Sequence, residues 1–84
     1  MLRVLYFALV REMVGVGEER VSPPAEVDTV EALADWLSER SDAHARALAD
    51  RARLRAAVDG ALVGLEAPIA GAAEVALFPP VTGG

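Results

Sequence analysis

The two most apolar segments of the chain lie at its opposite ends, and this placement constrains the fold more than any other feature. Residues 2–8 (Leu-Arg-Val-Leu-Tyr-Phe-Ala) and 74–78 (Glu-Val-Ala-Leu-Phe) are rich in aliphatic, aromatic and β-branched residues and read as strands. Strands this apolar belong at the centre of a sheet, so the first and last segments are expected to be neighbours. With 84 residues available, everything between them must form one domain around one small core. A chain of this length buries only about 60–65% of its unfolded surface. It is not expected to enclose a deep private substrate pocket as well, and any chemistry is expected in a site shared with another protein.

The two-residue period sorts each terminal strand into faces. In the first, Leu2, Val4, Tyr6 and Ala8 share one side, and Arg3, Leu5 and Phe7 share the other. An unpaired arginine does not belong in a core, so the Arg3 side is the outward one and Phe7 becomes an exposed aromatic. In the last strand, Val75 and Leu77 point inward, whereas Glu74, Ala76 and Phe78 point outward for the same reason. Two of the chain's four aromatic residues, Phe7 and Phe78, are thus expected on the solvent side of a sheet. Small soluble domains rarely leave such a patch unused.

Between these strands, residues 10–14 read as a helical turn stopped by Gly15 and Gly17. Residues 18–21 read as a second strand, hairpin-paired with the first and halted by Pro23-Pro24. Val30, Leu33, Ala34 and Leu37 fall at i, i+3, i+4 and i+7, the stripe of a core-facing helix. Either Asp28 or Thr29 can cap that helix, and Asp28 with Glu31 has the capping-box spacing. Glu31, Asp35 and Glu39 point away from the stripe and read as a solvated face. Ser41 or Asp42 can cap a shorter helix running through Leu48 to about Arg51, with His44 on its exposed surface. Trp36 and Tyr6 read as packing residues with their polar atoms at the edge. Residues 53–58 read as a strand, and Asp59-Gly60 is a two-residue hairpin signal into Ala61-Leu62-Val63. Pro68 and Gly71 mark a turn before the last strand. The expected architecture is α+β, a mixed sheet of about five strands with one main helix packed on one face.

Composition excludes several kinds of chemistry. The chain has no cysteine, which removes disulfides, thiolate metal sites and a cysteine nucleophile or persulfide. A single histidine does not make a metal site, so none is expected. Eight basic residues against thirteen acidic give a net charge of −5, which argues against nucleic acid or an anionic membrane as partner and favours a basic or neutral protein surface. No segment approaches a membrane-spanning apolar run, and the start of the chain has no secretory pattern, so a cytoplasmic protein is expected. All eight basic residues are arginine. Two readings stand for the missing lysine: the arginine bias of a GC-rich genome, and protection from an activated chain end that would acylate side-chain amines.

The sequence ends Phe78-Pro79-Pro80-Val81-Thr82-Gly83-Gly84. The two prolines fix φ and remove donors, so the run from residue 79 onward is expected to leave the sheet as an extended tail. At about 3.1–3.4 Å per residue, that tail reaches roughly 19 Å. Gly83 and Gly84 carry no side chain and suit a narrow channel. The terminal carboxylate is ionised at neutral pH and is a poor electrophile. Acyl chemistry on it requires activation, most simply as an acyl-adenylate made from ATP. A bare diglycine end can also be a frayed terminus; the proline pair before it favours a stiff exit.

Taken together, these residues resemble the small, sulfur-carrier subunits of molybdopterin synthase, a family of ubiquitin-like β-grasp carriers. The likeness covers essentially the whole chain. It includes Val4-Leu5-Tyr6-Phe7-Ala8, Val10-Arg11-Glu12-Met13-Val14-Gly15, Thr29-Val30-Glu31-Ala32-Leu33, Ala56-Ala57-Val58 and, above all, the run from Glu74 to Gly84. Leu77 stands where the family often has an aromatic residue, and Ala72-Ala73 replaces its usual acidic turn residues.

The resemblance implies a division of labour. A ubiquitin-activating-like adenylyltransferase attaches AMP to Gly84, and a sulfur donor converts the adenylate to a thiocarboxylate. The loaded tail then enters the large synthase subunit within a heterotetramer, where sulfur passes to a cyclic pyranopterin precursor. The chain is not catalytic alone and holds no permanent cofactor; ATP is used by the activating enzyme. Phe7, Leu62 and Phe78 match the family's docking patch, and Pro79, Pro80, Val81 and Thr82 form the arm inserted into the partner. A carrier without cysteine must hold its sulfur elsewhere, and the terminal carboxyl is available. Three alternatives remain: the same chemistry serving thiazole or tRNA thiolation, a ubiquitin-like protein modifier, and an interaction module whose tail has no chemistry.

Overall fold

The protein was analysed as a computed structural model, which describes residues 1–80. Its centre is the pairing of the two chain ends. Strand β1 (Leu2–Tyr6) runs parallel to β5 (Glu74–Phe78), with Val4 opposite Val75 and Tyr6 opposite Leu77. Strand β2 (Glu18–Val21) pairs antiparallel with β1 on one side. On the other side, β3 (Arg55–Val58) pairs antiparallel with β5 and carries β4 (Ala61–Val63) at the edge. The order β2-β1-β5-β3-β4 makes a mixed five-stranded sheet, as the sequence predicted.

A parallel pair requires a long crossover, and here it carries the helices α1 (Ala8–Val14), α2 (Val30–Ser38) and α3 (Asp42–Ala47). Helix α2 lays Val30, Leu33, Ala34 and Leu37 into a core with Val4, Tyr6, Val75 and Leu77, all fully buried. Thr29 rather than Asp28 supplies the cap: its Oγ1 accepts from the Ala32 amide at 3.1 Å. The amides of Val30 and Glu31, orphaned by the helix start, donate to the carbonyls of Ala67 and Leu65 at 3.0 and 2.8 Å. The segment leading to the last strand therefore fixes where α2 begins.

Four local expectations are corrected. Strand β1 ends at Tyr6 rather than at residue 8, because Phe7 becomes the cap of α1, and that helix begins at Ala8 instead of residue 10. Helix α3, capped by Ser41, one of its two candidates, stops at Ala47 rather than running to about Arg51, and Leu48 enters the core. Residues 51–53 wind into a 3₁₀ turn, so β3 starts at Arg55 rather than at residue 53. The Arg55 guanidinium donates to the carbonyls of Ala52 and Leu54 at 3.0 and 3.1 Å, satisfying acceptors at the turn's end. The acidic face of α2 is also not simply solvated: Arg51 meets Asp35 at 2.8 Å and Glu31 at 3.7 Å.

His44 is the largest departure. It lies buried, not on an exposed helix surface, and completes a polar chain that ties α3 to the β1–β2 edge. The Tyr6 hydroxyl donates to Glu19 Oε1 at 2.8 Å, and His44 Nε2 reaches the same oxygen at 2.8 Å. An ionised carboxylate only accepts, which places a proton on Nε2. Ser41 Oγ sits 2.7 Å from His44 Nδ1 and accepts from the His44 amide at 3.1 Å. A buried polar group needs such partners, and no buried side-chain polar atom among the described residues lacks one. Burial pushes the Tyr6 phenol well above its ordinary value, and the Glu19 carboxylate adds to the effect. Partial burial acts to raise Glu19, but hydrogen bonds from His44 and Tyr6, with the positive field of His44 and Arg40, outweigh it and hold the carboxyl below its usual range.

Two outcomes test this core. Leu33→Ala should lower the folding free energy by about 2–5 kcal/mol in denaturant unfolding, as for other fully buried leucines; a near-neutral result would contradict the packing of α2. The depressed Glu19 carboxyl contributes stability above its ordinary value of 4.5, and that contribution is lost as pH falls through its lower folded value. Melting temperatures of Glu19→Gln should therefore fall less steeply than wild type as the solution is acidified from about pH 4.5 down to the lower folded value, and parallel curves across that window would remove Glu19 from the acid response.

Candidate functional site

The outward face of the sheet carries a continuous apolar band set by strand register. Leu5 pairs with Ala76, Ala76 with Ala57, and Ala57 with Leu62, so one row crosses β1, β5, β3 and β4. Small alanines in the middle of the row leave a depression of about 580 Å³, walled by Leu5, Phe7, Phe78 and the proline pair Pro79-Pro80. Leu62 stands at the far edge with 78% of its surface exposed, next to a second hollow shared with Phe78 and Arg55. An aromatic and aliphatic band of this kind is unusual on a small isolated domain.

The structure brings together Phe7, Leu62, Phe78, Pro79 and Pro80, five of the residues singled out in the sequence. Phe7 is 47% exposed, as expected. Phe78 is half-buried rather than fully exposed, because it lies between the two hollows and opposite Arg55 across the strand pair. Pro79 and Pro80 are also half-buried and line the rim of the band. Val81, Thr82, Gly83 and Gly84 lie outside the described residues.

Two features that hold this face escaped the sequence. The first is the backbone at Ala8, with φ of 52°, in the left-handed region. The Phe7 amide still donates to the Leu77 carbonyl at 3.2 Å, extending the central pairing by one step. The chain then turns sharply into α1, which leaves the Phe7 ring on the sheet's outward face. Such a conformation costs an alanine about 1–2 kcal/mol. The second is Asp59. It opens the Asp59-Gly60 hairpin with both residues at positive φ, 48° and 86°, as the sequence signal requires. Its carboxylate Oδ1 also accepts from the amides of Ala73 and Glu74 at 3.0 Å each, pinning the start of β5. At the same end of the strand, Arg3 pairs with Glu74 across the outward face. Alternation read Asp59 only as a turn former; a short acidic side chain beside a strand start was the available signal for its second role.

Residues 4–84 match the ThiS family. The chain belongs to the ThiS family. Over 84 residues, covering all of both chains, it is 48% identical to the molybdopterin synthase sulfur carrier subunit of Escherichia coli K12. It is 38% identical, again over all of both chains, to the Haemophilus influenzae protein of the same name. Among solved structures it is similar to SAMP1 from Haloferax volcanii, with a TM-score of 0.71 and 30% identity over 99% of this chain and 98% of that one. It is also similar to a putative molybdopterin converting factor subunit 1 from Pyrococcus furiosus, with a TM-score of 0.73 and 28% identity over 95% and 97% of the two chains. The ubiquitin-like β-grasp fold expected from the resemblance is the fold observed.

The sheet face of this ThiS-family domain is predominantly apolar. Among the described residues no group of three or more His, Asp or Glu could hold a metal ion, and no helix is long and apolar enough to cross a membrane. The titratable network at Glu19 and His44 serves the interior. Ala8→Gly tests the geometry that places Phe7. Glycine accepts positive φ without penalty, so stability measured by denaturant unfolding should hold or rise by about 1 kcal/mol. A loss of about 1 kcal/mol, ordinary for glycine in a helix, would contradict the strained turn.

Proposed function

We propose that the protein is the sulfur-carrier subunit of a molybdopterin synthase, holding sulfur as a thiocarboxylate on Gly84. The observation that carries this reading is continuity: an apolar band on the sheet ends at Pro79-Pro80, where the diglycine tail begins, in a chain whose family match runs to its last residue. The two full-length bacterial relatives carry that name. Cysteine is absent, so sulfur requires another anchor, and the terminal carboxyl supplies one.

The chemistry balances with ordinary reagents. The Gly84 carboxylate attacks the α-phosphorus of ATP on an adenylyltransferase, and pyrophosphate leaves. A sulfur donor at the oxidation level of sulfide then attacks the acyl carbon, AMP leaves, and one carboxyl oxygen is replaced by sulfur. The band formed by Phe7, Leu62 and Phe78 seats the large subunit, while Pro79 and Pro80 direct Val81, Thr82 and the two glycines toward that subunit's cavity. Sulfur passes there to the pyranopterin precursor. The large subunit does the transfer chemistry, and this chain binds, positions and delivers.

Intact mass after incubation with ATP, the adenylyltransferase and a sulfur donor tests the reading. An oxygen-to-sulfur exchange on Gly84 is expected. Attachment of the chain to larger proteins would instead identify a modifier, and an unchanged mass would leave a module without carrier chemistry. Deleting Gly84 should abolish loading while leaving thermal stability nearly unchanged; a large loss of stability would make the tail structural.

A further inference from the structure

Resting on that reading, we infer that the large subunit grips the root of the tail from a second side, through an apolar contact ringed by carboxylates. Pro79 is shared by two depressions. One is the sheet-side hollow already described; the other, of about 250 Å³, lies between α1 and the segment formed by α3 and the 3₁₀ turn. Its apolar part is Leu9 and Met13, one helical turn apart and 57% and 37% exposed, while Val10 is the residue that α1 buries. Arg46, Arg53 and Asp50 line its polar part. An apolar centre with a polar rim is the usual anatomy of a protein interface.

The shared Pro79 makes this groove continuous with the proposed docking face, and charge placement gives the chemistry that the partner surface must carry there. Among the described residues, Arg3 pairs with Glu74, Arg20 with Glu18, and Arg51 with Asp35 and Glu31. Five arginines have no carboxylate within ion-pair distance among the described residues, although the chain has a net charge of −5: Arg11 lies against Gly17 and Arg40 over the Trp36 ring, and the remaining three are Arg46, Arg53 and Arg55. These three flank the root of the tail: Arg46 and Arg53 share a groove with Pro79, and Arg55 lies opposite Phe78. Exposed guanidiniums are suited to bidentate pairing with carboxylates. Asp50 is the one acidic residue on the groove, so its polar rim is cationic overall. The net charge alone favours a basic partner surface, whereas the tail's root selects carboxylates locally. Such contacts act within a Debye length and weaken with salt.

The test is calorimetric binding of the large synthase subunit to wild type, to the Arg46→Glu/Arg53→Glu double variant and to Leu9→Ala, at low and high salt, with thermal melts confirming that each chain is folded. Charge reversal should weaken binding about tenfold or more at low salt, with the gap closing at high salt. Leu9→Ala should weaken it at both. Equal or tighter binding by the double variant at low salt, while wild type binds, would overturn this inference and leave the carrier reading intact. Failure of wild type to bind would overturn both. Self-association of wild type that the double variant abolishes would assign the groove to a second copy and likewise overturn the inference.

Discussion

The parallel pairing of β1 with β5 is the constraint on which the rest of the molecule depends. It joins the first strand of the chain to the last, so nearly every other element is part of the connection between them. The inward residues of this pair, Val4, Tyr6, Val75 and Leu77, form the floor on which α2 packs. The outward residues, Leu5, Phe7, Ala76 and Phe78, form the band on the opposite face. One backbone ladder thus fixes the hydrophobic core and the candidate docking surface together. It also ends the last strand, β5, in the middle of the sheet and beside the band, with Pro79 and Pro80 on the band's rim.

Several polar devices reinforce that pairing where apolar contact cannot. The Asp59 carboxylate and the Arg3–Glu74 pair hold the beginning of β5. The chain of Tyr6, Glu19, His44 and Ser41 anchors α3 to β1 and β2. A half-satisfied network of this kind would cost more than an apolar core, so its members act as a unit. These contacts tie the strands beneath the band to α3 and to the β3–β4 turn, and a surface ordered before binding loses less entropy when a partner settles on it.

The fold was legible in the sequence wherever one period dominated. The stripe Val30, Leu33, Ala34 and Leu37, the alternation in both terminal strands and the Asp59-Gly60 turn each specify an element by local chemistry. The faces of β1 and β5 followed from refusing to bury Arg3 and Glu74, and the structure places Phe7, Leu62, Phe78 and the prolines on one surface as a result. His44 was misread because its neighbours in sequence are alanines, whereas its partner Glu19 lies on a distant strand. A lone histidine carries no periodic signal, and only tertiary contact reveals its burial. The start of β3 was expected two residues early for a related reason: Arg53-Leu54-Arg55-Ala56 alternates like a strand, but Arg53 belongs to the 3₁₀ turn and lines the groove beside Pro79 instead.

The functional account joins a rigid sheet face to a slender chain end, with chemistry supplied by other proteins. Its central claim is that the outward face is the surface on which the large subunit sits. Amide chemical-shift mapping of the labelled chain during titration with that subunit tests this most directly. The account predicts that perturbations concentrate at Leu5, Phe7, Leu62, Ala76 and Phe78, with little change along the outer face of α2 around Glu31 and Asp35. Perturbations centred on α2 that spare the sheet face would contradict it.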